Sequence, residues 1–475
     1  MKYVEKWDIF EVSFSGTVEG NPYMDVQFSA VFTNGIKNYK QNGFYDGLGV
    51  YKLRFMPNEL GNWSYKTQSD TKELGGLVGE FYCEKPDICA HGPIKVNNTF
   101  ELAYADGERY HQIGTTCYVW NHQPATLREQ TLLTLSKSPF NKIRMCVFPK
   151  HYDFSTNKMD QLPFAGSETD IDYERFNPKY WEILEDCIKK LMVLGIQADI
   201  ILFHPYDRWG FAKMSKETDE FYLKYVVARL SAYSNVWWSF ANEYDLMPWK
   251  NEEDWDDYFK LVQSLDPHDH LRGNHNCRGF YDHSKKWVTH CSIQSSDMED
   301  IPKWRDMYKK PIIIDECCYE GNIQHNWGNI SAQTMVSRFW DGLVRGAYVG
   351  HGETYLHSDD VLWWSKGGVL HGQSPERIAF YKKYLERLPE GCELLEKGWG
   401  WGILDKLYIS YVGERCPARK TYDLPTDKQF TIEIIDTWDM TSKMLPGTYS
   451  GSGFIPLPQK PYIAYWIEEA WKKTQ

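Results

Sequence analysis

Eight short apolar runs, most of them breaking into polar residues at their C-terminal end, recur between about residues 90 and 392 and constrain the fold more than any other feature. They are HQIGTTCYVW (111–120), KIRMCVFP (142–149), QADIILFHPY (197–206), NVWWSFANE (235–243), HLRGNHNC (270–277), WVTHCSIQSS (287–296), KPIIIDECC (310–318) and GAYVGHGETY (346–355). Near-continuous apolar character is what a strand buried on both faces of a parallel sheet requires. Helical stretches separate several of the runs. Residues 178–195 put Trp181, Leu184, Ile188 and Leu191 on one stripe, and 217–233 do the same with Phe221, Tyr225, Val226 and Leu230. Eight strands alternating with helices predict an α/β fold, a (β/α)8 TIM barrel.

The chain has 475 residues, well beyond the roughly 250 typical of one barrel, and its ends read differently. From Trp7 to about Cys89 short β-like runs alternate at period two between Gly, Pro and Asn breaks, and after Gly400 the same rhythm returns. Three units are expected: a β-sandwich over 1–89, the barrel over 90–392 and a second β-sandwich over 393–475. No repeat, low-complexity tract or long Ser/Gly linker divides them, so they are expected to pack rigidly.

The charge balance narrows the partners. With 65 acidic against 53 basic residues the net charge is −12, and no basic run offsets it, which excludes the electrostatics of nucleic-acid binding. No run of about 18 apolar residues could span a membrane. The opening segment MKYVEKWDIFEVSF lacks the apolar core of a secretion signal, and the 11 cysteines include no C-x-x-C pair. These features predict a cytoplasmic protein with reduced thiols. The 20 Trp and 32 Tyr suit sugar stacking, but such rings equally build cores. A homo-oligomer is left open.

Two of the strand patterns end in acids: Glu243 closes WWSFANE at strand four, and Glu316 closes PIIIDE at strand seven. Strands at near-opposite points of a barrel deliver side chains to one reactive mouth. A carboxylate pair there points first to glycoside hydrolysis, with one carboxyl protonated as acid and the other ionised. Trp238 and Phe240 are positioned to give Glu243 apolar surroundings. Asn-Glu occurs three times, at 58–59, 242–243 and 251–252, but only the middle pair ends a buried strand. The structural alternatives are a helix N-terminal carboxylate for Glu243 and a plain ion pair for Glu316.

WWSFANEYD followed 73 residues later by PIIIDECCYEG resembles clan A of the glycoside hydrolases, in which strand four supplies Asn-Glu and strand seven the nucleophile. More closely, ARLSAYSNVWWSFANEYD and DPHDHLRGNHN resemble the cellulase-like barrels related to apiosidases, which carry an immunoglobulin-like domain in front and a small β domain behind. The resemblance implies a retaining mechanism with Glu243 as acid/base and Glu316 as nucleophile. It implies a substrate-binding role for Asn242, toward the hydroxyl beside the anomeric carbon, and for Arg144 on strand two, against the nucleophile. Gln294 stands where many members have Tyr or His.

Other candidates come from strand ends and loops. His204 after strand three, and His275 with Asn276 after strand five, are expected to face the mouth and bind sugar hydroxyls. In the long aromatic loop at 353–372, Trp363 or Trp364 is expected to stack on sugar, with Trp120 after strand one as a further candidate; packing is the alternative for each. His351, Glu353, His357 and Asp359 imitate a metal cluster, but their spacing fits no helical ligand pair, so no metal and no cofactor is expected. The whole predicts an exo-acting retaining glycosidase for oligosaccharides or plant glycosides small enough to be imported. The rivals are a transglycosylase using the same pair, a non-catalytic carbohydrate-binding barrel, and a metal-dependent hydrolase.

Overall fold

A computed structural model describes residues 1–156, 158–358, 362–396 and 400–470. The eight runs form the strands β1 (Gly114–Thr116), β2 (Lys142–Cys146), β3 (Gln197–Phe203), β4 (Val236–Ala241), β5 (Arg272–Gly273), β6 (Cys291–Gln294), β7 (Ile312–Glu316) and β8 (Tyr348–His351). All pair in parallel in the order β5-β4-β3-β2-β1-β8-β7-β6, and a bridge from His275 to Ser292 joins the two ends into a nearly closed barrel.

Helices follow seven of the strands: α1 (Ala125–Leu135), α2 (Pro178–Val193), α3 (Lys216–Leu230), α4 (Glu252–Leu265), α5 (Ile301–Tyr308), α6 (Ala332–Leu343) and α7 (Ser374–Leu385). The β5–β6 connection has none. Its sequence, NHNCRGFYDHSKKW, offers turn formers and no apolar 3.6-residue period. Among the described residues no helix is long and apolar enough to cross a membrane.

Alternation along β2 fixes what lies inside the barrel. Ile143 and Met145 face outward and join Ile200 and Leu202 in the core beneath the helices, whereas Lys142 and Arg144 point inward. Lys142 is fully buried against Asp199 (2.9 Å) and Asp315 (2.6 Å). Below this charged layer Trp237, Leu271 and Ile313 meet Ile94 and Leu102 of a hairpin, Ile94–Asn97 with Glu101–Tyr104, that plugs the floor. Above it Arg144 reaches toward the mouth.

Both flanks are all-β. In the N-terminal one, a five-stranded and a three-stranded sheet share a core that includes Phe10, Phe32, Leu53, Phe55, Trp63 and Phe81. It docks on α2 and α3 through Arg54, whose guanidinium grips both oxygens of Glu185 at 2.7 and 2.9 Å. That contact explains why α3 is buried more widely than one apolar stripe requires: Arg229 on it is fully buried, at 2.5 Å from Glu185 and 2.6 Å from Asp46. The C-terminal flank is a six-stranded sheet with a separate two-stranded pair, and its Tyr411 and Trp466 pack on Trp340 and Tyr384 of the barrel.

Candidate active site

Glu316 is the last residue of β7, and Glu243 lies two residues past the end of β4. Glu243 adopts φ 55° and ψ 56°, a left-handed turn that few side-chain-bearing residues take. Both carboxylates line a single cavity of about 450 Å³ at the C-terminal mouth of the barrel, together with Tyr118, Lys150, Tyr206, Gln294, Tyr319 and Trp364. The two are supported differently.

Glu316 is held by charge. Arg144 Nη1 donates to its Oε1 at 2.9 Å, and the Tyr118 hydroxyl donates to the same oxygen. Burial alone would raise its proton affinity, but His275 and Arg144, with the Tyr118 and Tyr319 hydroxyls, outweigh it and hold the carboxyl below the ordinary range. His275 is itself pushed down to about 3 by burial and is neutral at pH 7, so the permanent charge is that of Arg144.

Glu243 has no ion pair among the described residues. The Tyr206 hydroxyl and, at 3.3 Å, Asn242 Nδ2 donate to its Oε2. Burial and the neighbouring Glu316 both raise its proton affinity, against smaller opposing effects of Lys150, Tyr206 and Gln294. Two carboxyls in one cavity are thus driven apart, one toward the ionised and one toward the protonated form.

The other expected residues divide by position. Asn242 is almost fully buried, accepts from Arg144 Nη2 at 3.3 Å, and links the two carboxylates from behind. His275 packs 3.9 Å from Glu316. Asn276 instead clips the barrel seam, exchanging two hydrogen bonds with the Gln294 backbone. His204 turns away to the Phe148 carbonyl at 3.2 Å and is not part of the cavity lining.

The tryptophans separate as well. Trp364 lines the cavity amid Tyr118, Tyr152, Phe154 and Tyr319 at centroid distances of 5.3–5.9 Å. Trp363 is buried, with its indole N–H on Thr115 Oγ1 at 2.9 Å, and Trp120 is fully enclosed in the core.

Of the residues imitating a metal cluster, Asp359 lies outside the described residues. Glu353 accepts from the His371 and Gly372 amides, and neighbouring Glu320 from those of Gln373 and Ser374, so both carboxylates serve the start of α7. His351 stacks on Phe140, and His357 stacks on His371.

The sequence reading missed Tyr118, Lys150, Tyr206 and Tyr319. Position was a signal for two of them, since Tyr118 and Tyr206 lie within two or three residues of the ends of β1 and β3, the same criterion that singled out Glu243.

The profile of the family described as "Apiosidase-like, catalytic domain" matches residues 97–383. The chain belongs to that family. In this apiosidase-like protein, a glycosidase, the flanks match two domains of unknown function, DUF5060 at residues 3–70 and DUF5605 at 397–468. The crystal structure of a candidate glycoside hydrolase from Bacteroides vulgatus ATCC 8482 is 36% identical, covering 99% of this chain and 100% of its own, with a TM-score of 0.94. A family 5 glycoside hydrolase from the same organism shares the fold at 14% identity and TM-score 0.64, over 81% of this chain and 95% of its own. No curated protein sequence matches the apiosidase-like chain.

Proposed function

We propose that the protein is a retaining, exo-acting glycosidase of short oligosaccharides or plant glycosides in a reducing cytoplasm. The observation that carries the mechanism is the unequal support of two carboxylates in one cavity. Glu316, ionised beside Arg144, attacks the anomeric carbon while Glu243 passes its proton to the leaving oxygen and the glycosidic bond breaks. Glu243, now a carboxylate, takes a proton from water; the resulting nucleophile attacks the anomeric carbon and releases Glu316. A cavity near 450 Å³ is at the small end of ligand pockets, roughly 300–1,000 Å³, which favours a terminal sugar over a long polymer. All 11 cysteines are free thiols, in keeping with a reducing compartment.

The test is turnover of a panel of activated aryl glycosides, apiofuranosides and other furanosides included, by wild type, Glu243→Ala and Glu316→Ala. Glu316→Ala should lose at least about 10³-fold in kcat, the scale of deleting a catalytic group. Glu243→Ala with azide should yield a glycosyl azide of unchanged anomeric configuration. An azide of inverted configuration would overturn the assigned roles, because azide would then be standing in for the nucleophile, and full activity in both variants would remove the pair from catalysis. The pH profile should be bell-shaped: Glu316, its pKa lowered, sets the acid limb by having to be ionised, and Glu243, its pKa raised, sets the alkaline limb by having to be protonated.

A further inference from the structure

One group in the cavity has a charge but no partner for it. Lys150 follows β2 by four residues, is 4% exposed and lines the cavity that holds both carboxylates. Among the described residues its ammonium has neither an ion pair nor a hydrogen bond to a protein acceptor. Removing an ammonium from water costs several kcal/mol unless something replaces the lost solvation. Here ring faces replace it: Nζ lies 3.5 Å from the centroid of Tyr118, 4.2 Å from Tyr206, 4.8 Å from Tyr152 and 5.8 Å from Trp364.

The two nearest rings are the ones whose hydroxyls donate to the carboxylates, Tyr118 to Glu316 and Tyr206 to Glu243. An ammonium over a phenol ring draws electron density from it and strengthens its O–H as a donor, so one cation supports both acids through two phenols. It also acts on both directly; burial lowers the pKa of Lys150, and the two carboxylates oppose that in favour of its charged form.

The reaction proposed above, on which this inference rests, moves one negative charge across the cavity. Glu316 loses its charge on forming the glycosyl ester, and Glu243 gains one on giving up its proton. We infer that Lys150 is a positioning residue, a fixed cation acting through Tyr118 and Tyr206 that supports whichever of the two carboxylates bears the charge. The other ionisable groups facing it are Cys146 and Arg144 of β2, Tyr152 and His204. Arg144 is already committed to Glu316, and burial keeps Cys146 protonated, pushed up to about 12, and His204 neutral, pushed down to about 3. None of these can take over the role.

The experiment is the pH profile of kcat/KM for wild type, Lys150→Met, Lys150→Gln and Lys150→Arg on a substrate found with the aryl glycoside panel, alongside thermal melts. Loss of the cation disfavours the ionised form of both carboxyls, so in a neutral variant both limbs should move to higher pH by on the order of one unit, with Lys150→Arg returning toward wild type. Tyr206→Phe keeps the ring beneath the ammonium and removes only the hydroxyl, so it should move the alkaline limb alone. That variant tests the route even if both neutral variants fail to fold.

Unshifted limbs in a folded neutral variant, a rise in KM alone, or an arginine variant no better than methionine would each overturn the inference. So would an unmoved alkaline limb in Tyr206→Phe. Glu243→Ala and Glu316→Ala measured beside them separate the two levels: if those retain activity the carboxylate mechanism itself falls, whereas inactive carboxylate variants with unshifted Lys150 variants remove only the role of the lysine.

Discussion

Two buried glutamates, Glu185 at the junction with the N-terminal sheets and Glu243 at the barrel mouth, show how burial acts on a carboxylate that has an ion pair and on one that has none. Glu185 is gripped by Arg54 through two hydrogen bonds and by Arg229 through a third. Burial would raise its proton affinity, but Arg229 and Arg54 bring it down to about 2. Every lone pair that matters has a cation, and the group cannot exchange protons near neutrality. Glu243 is almost as deeply buried, yet among the described residues it has no ion pair: a phenol and an amide donate to it, burial and a second carboxylate outweigh the smaller effect of Lys150, and its proton affinity rises. Burial is common to both; only at the mouth does the carboxylate lack an ion pair, and that favours the protonated form which the proposed acid role needs.

The contrast is broken most severely by removing the cation at the junction. Arg54→Ala leaves Glu185 half-paired and buried, and should cost about 3–5 kcal/mol of unfolding free energy, measured by denaturant titration, with kcat unchanged where the variant is folded. A loss below about 1 kcal/mol would show that the junction is not a tight ion pair. The same network sets an acid limit. Because the Glu185 pKa is depressed from an ordinary 4.5 to about 2, its contribution is fully present above about 4.5 and should be lost progressively as pH falls from there toward 2. Wild type should therefore lose stability over this window and Arg54→Ala much less.

The next effect transfers that logic to the mouth. Arg144→Met strips Glu316 of its permanent charge partner, so the acid limb of kcat/KM should move up by about 1–3 units while the alkaline limb, set by Glu243, moves little. If the acid limb stays in place, either a group other than Glu316 sets it or Arg144 does not control that group.

How far the sequence revealed this site depended on where regular geometry stops. The continuous apolar character of runs such as PIIIDE and VWWSFA made the barrel readable, and acids at their ends marked Glu243 and Glu316. Period-two reasoning loses its meaning once the strand is over. β1 stops at Thr116 and the chain winds into a 3₁₀ turn at Trp120–His122, which sends Trp120 into the core and leaves Tyr118 at the mouth. Past the end of β3, the chain turns His204 to the Phe148 carbonyl and puts Tyr206 on Glu243. Lys150 lies four residues beyond β2, where no pattern predicts direction at all. The junction was hidden for another reason: Arg54, Glu185 and Arg229 are far apart in the chain, and a charged residue on an amphipathic helix reads as solvent-facing until a second unit covers it.

The smallest effect lies in a pair of neighbours that sequence could not separate. Trp363 and Trp364 share one helical turn, Trp363–Lys366, where consecutive side chains point about 100° apart, so only one of them can face the cavity. Trp364 lies in the ring cluster beside the carboxylates. Trp364→Ala should raise KM up to about tenfold, the value of one aromatic contact of roughly 0.5–1.5 kcal/mol, with a smaller change in kcat. Trp363→Phe keeps an aromatic ring but removes the pyrrole half with the N–H that Thr115 accepts. It should cost about 1 kcal/mol of stability and leave KM unchanged. Steady-state kinetics with thermal melts on both variants decides the assignment: a KM effect in the Trp363 variant, or none in the Trp364 variant, would place the sugar platform on the other face of the turn.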